Sequence, residues 1–205
     1  MKSIITGDII RSQSAETPAI WLNPLKKLFK SFGDTPEVWE IYRGDSFQIE
    51  IEPFDSLRVS FLIKSVIKKI REESLDVRLA IGIGVKEFDS DRVGESSGEA
   101  FLFSGRLLDH LKEQKMSMGI KSGWEQFDKD LNMMLKLALV IMDSWTNNSA
   151  EVAEIIIQEP EITQTEIAKR LGIVQSSVNE RIKRASIHEI IELEQYFRER
   201  LKSQY

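Results

Sequence analysis

The sequence predicts an α+β fold in two parts, a mixed strand-and-helix unit followed by an all-α unit. Three observations lead there. Apolar alternation and helical stripes succeed one another in the order βαββαβ over residues 3–83, and beyond residue 124 only helical patterns occur. A length of 205 residues suits one ordinary domain plus a small one. The third is composition, since 41% hydrophobic and 30% charged residues belong to a globular chain with enough apolar surface to bury a core.

Residues 3–10 are apolar, β-like and end in Gly7-Asp8-Ile9-Ile10. A helix is expected within 19–32, restarted at Asn23-Pro24, where Asn suits an N-cap and Pro the first helical position. A hairpin follows over 38–51. Its Trp39, Ile41, Phe47, Ile49 and Ile51 alternate with polar neighbours, and Arg43-Gly44-Asp45-Ser46 supplies a two-residue turn. Residues 55–73 place Leu57, Phe61, Leu62, Val66, Ile67 and Ile70 on one helical stripe. The strand over 77–83 sets its large residues on one face and Ala80 with Gly82 on the other. The charged loop 86–97, in which 87–91 is expected to be a solvated surface, leads to a helix over 98–113 capped by Ser96-Ser97-Gly98-Glu99, and residues 116–120 supply a last short strand.

That order of elements is the ferredoxin-like one. Right-handed crossovers make the first two strands parallel, with the third between them and antiparallel to both. The end of the first strand then lies beside the start of the third, so topology makes Asp8 and Asp45 neighbours. Two carboxylates at one end of a sheet suit Mg²⁺, which takes hard oxygen ligands together with phosphate. Each aspartate also has a plainer role: Gly-Asp is a favoured hairpin turn, and a strand-end Asp caps the next turn.

Composition narrows the partners. A formal charge of −5 gives no general attraction to nucleic acid or anionic membrane, so any DNA affinity must be local. With no cysteine, disulfides, thiolate metal sites and thiol catalysis are excluded. His110 and His188 have no ligand-like spacing. No signal-peptide pattern is visible, and the longest apolar run, residues 137–142, is too short to span a membrane. The expected location is cytoplasmic, with no membrane partner.

Residues 124–145 predict a connecting helix, and Thr146-Asn147-Asn148-Ser149 is an N-cap cluster for the helix over 150–158. After Pro160, Thr163 caps the next helix and Glu166 completes a capping box. Ile167, Ala168 and Leu171 form its buried stripe, Gly172 permits a tight turn, and Val178 with Ile182 anchors a second helix on the first. This is a helix-turn-helix. Candidate DNA contacts are Gln164 and Thr165 on the first helix, and Gln175, Ser176, Ser177, Asn179, Arg181, Lys183 and Arg184 on the second. Short polar side chains near a helix N-terminus suit base edges and phosphates, and cationic ones suit the DNA backbone. Residues 161–187 carry five cationic side chains against three carboxylates, an excess of two in an acidic chain. Such units also serve as protein-interaction modules. The last stretch, 187–201, has Ile187, Ile190, Ile191, Phe197 and Leu201 on one face and suits a core or dimer helix.

Residues 1–10, 39–48, 77–84 and the Gln175-Ser176-Ser177-Val178 segment resemble the SatD family of bacterial proteins, with similarity nearly end to end. More distantly, the N-terminal part resembles the class III nucleotidyl cyclase domain. That resemblance implies a Mg²⁺ or Mn²⁺ site at Asp8, Ile9 and Asp45. It implies nucleotide contacts at Ile10, Arg11, Ser12 and Gly44, and it puts Arg106 in the place of the transition-state arginine. Leu102 stands where the cyclases carry an asparagine, Trp39 where they carry a purine-selecting lysine, and Ser96 in the place of that lysine's partner. Losing one positioned donor from a transition state costs about 10²–10³ in rate.

The organisation expected from these readings is a cyclase-like domain over 1–123, a connecting helix over 124–145 and a helix-turn-helix domain over 146–205. The expected function is a DNA-binding regulator whose cyclase-like domain binds a Mg-nucleotide or related phosphate ligand without normal cyclase activity. The alternative is a divergent nucleotidyl cyclase or nucleotidyl-transfer enzyme with the helix-turn-helix as a targeting module. Cyclase-like domains pair head to tail, which implies a homodimer and the paired half-sites usual for this DNA-binding motif.

Overall fold

The computed structural model describes residues 1–42, 44–71 and 75–204. Five strands, β1 (Lys2–Ile10), β2 (Trp39–Tyr42), β3 (Ser46–Ile51), β4 (Asp76–Gly84) and β5 (Met118–Lys121), form one mixed sheet in the order β2-β3-β1-β4-β5. β3 is antiparallel to β2 and β1, β1 is antiparallel to β4, and β4 and β5 are parallel. Eight helices accompany them among the described residues: α1 (Ala19–Phe29), α2 (Ser56–Lys68), α3 (Glu99–Gln114), α4 (Glu125–Met142), α5 (Asn147–Gln158), α6 (Gln164–Leu171), α7 (Gln175–Ala185) and α8 (Ile187–Lys202). The protein is α+β.

The alternation of the strands sets what each sheet face buries. Ile5, Ile9, Phe47, Ile49, Val77, Leu79 and Ile81 share a core with Trp21, Leu25 and Phe29 of α1 and Leu57, Phe61 and Ile67 of α2. The Phe29 ring lies 5.6 Å from Trp39 and 5.2 Å from Phe47. On the other face α3 packs down on Ala80 through Leu108 and Leu111, and Thr6 Oγ1 donates to Ser104 Oγ at 2.9 Å.

Gly82 permits that close approach. A Cβ there would sit 2.1 Å from the Ala100 carbonyl oxygen and 2.5 Å from the Ser104 nitrogen, both α3 backbone. Gly82→Ala is therefore expected to lose about 3 kcal/mol, the upper end of the usual overpacking cost, measured by urea unfolding. A loss under about 0.5 kcal/mol, the range of an ordinary surface change, would mean that α3 does not press on β4 there.

The C-terminal helices share the core of the sheet. Apolar residues of α4, α5, α6, α7 and α8 belong to the same cluster as β1, β3 and β4. The edge strand β5 is closed by a side chain: Asn132 of α4 accepts from the Ile120 N–H at 2.8 Å and donates to the Ile120 carbonyl at 2.7 Å. α8 returns to the sheet unit, with Phe197 5.9 Å from Phe127 and Arg198 donating to Asp55 at 2.8 Å.

Several boundaries differ from the sequence reading. α1 starts at Ala19 and runs through Asn23-Pro24, because Trp21, Leu25, Leu28 and Phe29 are buried along one side, and that packing outweighs the proline penalty. Tyr42 pairs with Ser46, so the hairpin connection has three residues rather than two. Arg43 of that turn lies outside the described residues, as do 72–74 of the stretch expected to end the second helix. The last strand is shifted to Met118–Lys121. Gly98 precedes α3 without a side-chain cap. Ser96, expected in that cap, is buried instead, accepting from the Ser90 N–H at 3.0 Å and donating to the Arg92 carbonyl at 3.3 Å. Trp39 is a core residue whose Nε1 donates to the Gly33 carbonyl at 2.9 Å.

Candidate ligand cleft and C-terminal helix surface

The backbones of Asp8 and Asp45 are neighbours, as the strand order requires. Asp8 pairs in register with Ser46, and the Ile9 N–H donates to the Asp45 carbonyl at 3.1 Å. Gly44 enters the tip with φ +87°. Ser12, in the turn after β1, donates to Asp45 Oδ2 at 2.7 Å. Asp8 has a partner that sequence reading missed. Arg78 lies opposite it on β4 and gives Nη1 to both carboxylate oxygens at 3.2 and 3.1 Å, while Lys112 of α3 stands 4.0 Å away.

Two carboxylates fit Mg²⁺ in number and kind, since that ion takes one or two of them beside phosphate oxygens. Here, however, both Asp8 oxygens are engaged by Arg78, so a metal would compete with the guanidinium. Among the described residues no group of three or more His, Cys, Asp or Glu is placed to hold a metal ion. Arg106 is not brought to the pair. It is exposed on α3, two positions from the buried Ser104 and so about 200° round the helix from the sheet. Leu102 is exposed as well.

Beside Asp8, on the β4 side, opens a cleft of about 250 Å³ lined by Ile10, Arg11, Lys68, Asp76, Arg78, Lys115, Met116, Ser117 and Asp143. Its floor is an ion network built round a buried lysine. The Lys64 side chain is fully buried, with its ammonium 2.8 Å from Asp76, 2.6 Å from Asp143 and 3.4 Å from Ser117 Oγ. Lys68 donates to the Asp143 carbonyl at 2.6 Å and lies 3.6 Å from Asp76. Arg78 Nε donates to the Met116 carbonyl at 3.1 Å. Arg11 and Lys115 both hold left-handed backbone, φ 62° and 53°. For a side-chain-bearing residue that conformation costs roughly 1–2 kcal/mol.

Sequence reading missed Lys64, Lys68, Asp76, Arg78, Lys115 and Asp143. A signal existed for Lys64. It stands three residues from both Phe61 and Ile67, on the apolar side of its helix.

The C-terminal candidates fall on α6 and α7. Thr163 and Glu166 form the capping box, with Thr163 donating to Glu166 through Oγ1 at 2.7 Å and through N at 2.8 Å. Those bonds, side chain first and backbone second, hold the Glu166 carboxyl below its ordinary pKa. Gly172 ends α6 at φ 65°, and Val178 with Ile182 is buried against the core. Thr165, Gln175, Ser176, Lys183 and Arg184 are exposed, while Gln164, Ser177 and Asn179 are half-buried. Arg181 is committed to α5 instead, donating to Glu151 at 2.9 Å. A groove of about 450 Å³ runs between α7 and the start of α5, lined by Ser176, Ser177, Arg181, Arg184, Thr146 and Asn148 among others.

The link between the two regions is short. Asp143, at the end of α4, joins the Lys64 network, and two residues on Trp145 Nε1 donates to the carbonyl of Ala185, the last residue of α7, at 2.9 Å. Among the described residues no helix is long and apolar enough to cross a membrane.

These features define an α+β protein with a charged cleft at one end of its sheet and a capped pair of short helices that presents polar and basic side chains. The SatD family model matches residues 3–204, and the chain belongs to the SatD family. Comparison with curated proteins gave no match, and neither did comparison with solved structures.

Proposed function

We propose that the protein is a DNA-binding regulator whose sheet unit takes a Mg-nucleotide or related phosphate ligand. The observation that carries the reading is the α6–α7 pair, with its capping box, its left-handed Gly172 turn and the exposed Gln175, Ser176, Lys183 and Arg184 on α7. In this reading α7 enters the major groove as a recognition helix, and Lys183 and Arg184 meet phosphates. The strand order β2-β3-β1-β4 supports a ferredoxin-like, cyclase-like sheet unit, and the meeting of Asp8 with Asp45 supports a ligand at its end. Buried Trp39 and exposed Leu102 and Arg106 support binding without normal cyclase turnover. A homodimer belongs to the proposal, since two copies supply two recognition helices. Met133, Leu137 and Val140, exposed at i, i+4 and i+7 on α4, are an apolar line that a second copy would cover. Ligand would act on DNA affinity through the contacts of Asp143 and Trp145.

The test is melting temperature with each nucleoside triphosphate, with and without Mg²⁺, on the native protein and on Asp45→Asn, followed by DNA affinity with the ligand found. A ligand at about 100 times its Kd adds about 2.7 kcal/mol of stability. The expected result is a Mg²⁺-dependent shift that disappears in Asp45→Asn and a changed DNA affinity at saturation. Absence of any shift would remove the nucleotide from the proposal, and unchanged DNA affinity would remove the coupling. Product formed from a triphosphate would instead favour the nucleotidyl-transfer enzyme.

A further inference from the structure

We infer that Glu180 reads a cytosine in the major groove, accepting a hydrogen bond from its N4 amino group, so that the DNA target holds a C·G pair facing the middle of α7. The inference rests on the DNA-binding reading above and names a base which that reading leaves open. Direction is the first argument. At about 100° per residue, the buried Val178, Ile182 and Ala185 centre on one line of α7, and Glu180 points within about 15° of the opposite line. Ser176, one turn earlier, lies within about 30° of that outer line, while Lys183 and Arg184 stand about 50° off it, one to each side. All four side chains are exposed. A helix seated in the major groove turns its outermost line to the base edges and its flanks to the phosphate walls. Lys183 and Arg184 thus take the two walls, and Ser176 and Glu180 take the bases.

Chemistry of the carboxylate is the second argument. Duplex DNA is a dense polyanion, so a carboxylate on the surface that meets it lowers affinity for every sequence alike. That loss is offset only where the carboxylate gains a donor. The major groove offers two donor amines, cytosine N4 and adenine N6, whereas guanine and thymine present acceptors that repel a carboxylate. Adenine also sets its N7 acceptor beside the amine and turns away the second carboxylate oxygen, so cytosine is the base selected. Rejection of the wrong base does as much here as attraction to the right one. Ser176 can give or take a hydrogen bond and therefore discriminates less.

The surrounding cations sort into two kinds. Arg181 is turned toward α5, where it donates to Glu151 at 2.9 Å. Arg184, one turn beyond Glu180, lines the groove between α7 and α5 together with it. A plainer role for Glu180 is therefore a surface pair with Arg184 at i, i+4, of the kind that adds little to a helix. The two roles differ in what they do to base preference, because a surface pair carries no sequence information.

The experiment is selection of bound duplexes from a random library by the full chain, native and as Glu180→Ala and Glu180→Gln. Fluorescence anisotropy then compares the selected duplex with a copy in which the C·G pair is replaced. The expected result is a C·G preference at one position of the native site, with affinity falling about tenfold or more when that pair is changed. Glu180→Ala should lose the preference at that position and keep those at the others. Glu180→Gln should move it to A·T, because an amide pairs with adenine N6 and N7. Both variants should bind random duplex more tightly than the native protein, since a negative charge has left the surface that meets phosphates. Both should also keep the native melting temperature, since Glu180 is exposed. Tighter binding with the native base preferences intact in both variants would overturn the inference and leave the DNA reading standing, with Glu180 as a surface charge beside Arg184. Selection of no duplex by the native chain would remove the DNA reading and this inference with it, and α7 would then face a protein.

Discussion

Replacing Lys183 and Arg184 together by alanine is expected to weaken DNA binding about 100-fold at low salt, taking each charge-assisted phosphate contact as worth about tenfold. The same change should reduce the slope of log affinity against log salt by nearly 2, because each lost phosphate contact removes about 0.9. Both residues are exposed in the last turn of α7, so their removal leaves no buried partner behind. Arg181 supplies the contrast. Its guanidinium holds Glu151 of α5 at 2.9 Å, and Arg181→Ala should lower stability while leaving the salt slope nearly as it was. Fluorescence anisotropy over a salt series separates the two outcomes. If the double variant keeps the native slope, α7 does not face phosphates and the pair belongs to a protein interface.

Lys64→Met is expected to cost about 3 kcal/mol, the lower end of what breaking a buried ion pair costs. Asp143 softens the loss because its side chain is 47% exposed, whereas Asp76 is only 15% exposed and would keep as its cation only Lys68, at 3.6 Å, beside the Val77 N–H at 2.8 Å. For a chain of this size that corresponds to a fall of roughly 10 °C in melting temperature. Adding Asp76→Asn to Lys64→Met should recover part of it, since the stranded carboxylate goes too. A single-variant loss under about 1 kcal/mol would mean that the network does not hold α4 against the sheet unit.

What could be read from the sequence followed from local period and from chain-connection rules. The neighbourhood of Asp8 and Asp45 came from such a rule, applied to strands whose alternation was plain, and β1 does pair with β3 at that point. The capping box at Thr163 was a matter of spacing alone. The cleft was not legible, because its walls come from five separate segments: the end of β1, the end of α2, the start of β4, the residues before β5 and the end of α4. A lysine on a helix is ordinarily a solvated residue, and only the position of Lys64 on the apolar stripe argued otherwise. The ion pair of Asp8 was not legible either, because nothing in the sequence places Arg78 across from it. The helix expected to restart at Asn23-Pro24 failed for a related reason, since local propensity is weaker than the burial of Trp21 and Leu25 on either side.

The return of α8 to the sheet unit bears on how the chain reaches this structure. Arg198 meets Asp55 across 143 positions of sequence, and Phe197 covers Phe127. Contacts of such long range are slow to form, because the closure entropy comes due before any reward. During synthesis the strands and α4 are therefore made well before the helix that finishes their core. In that interval the side of Phe127 that Phe197 covers has no partner, and exposed apolar surface of that kind is what makes nascent chains prone to aggregate. The core that the strands and α4 begin is thus completed only when α8 docks.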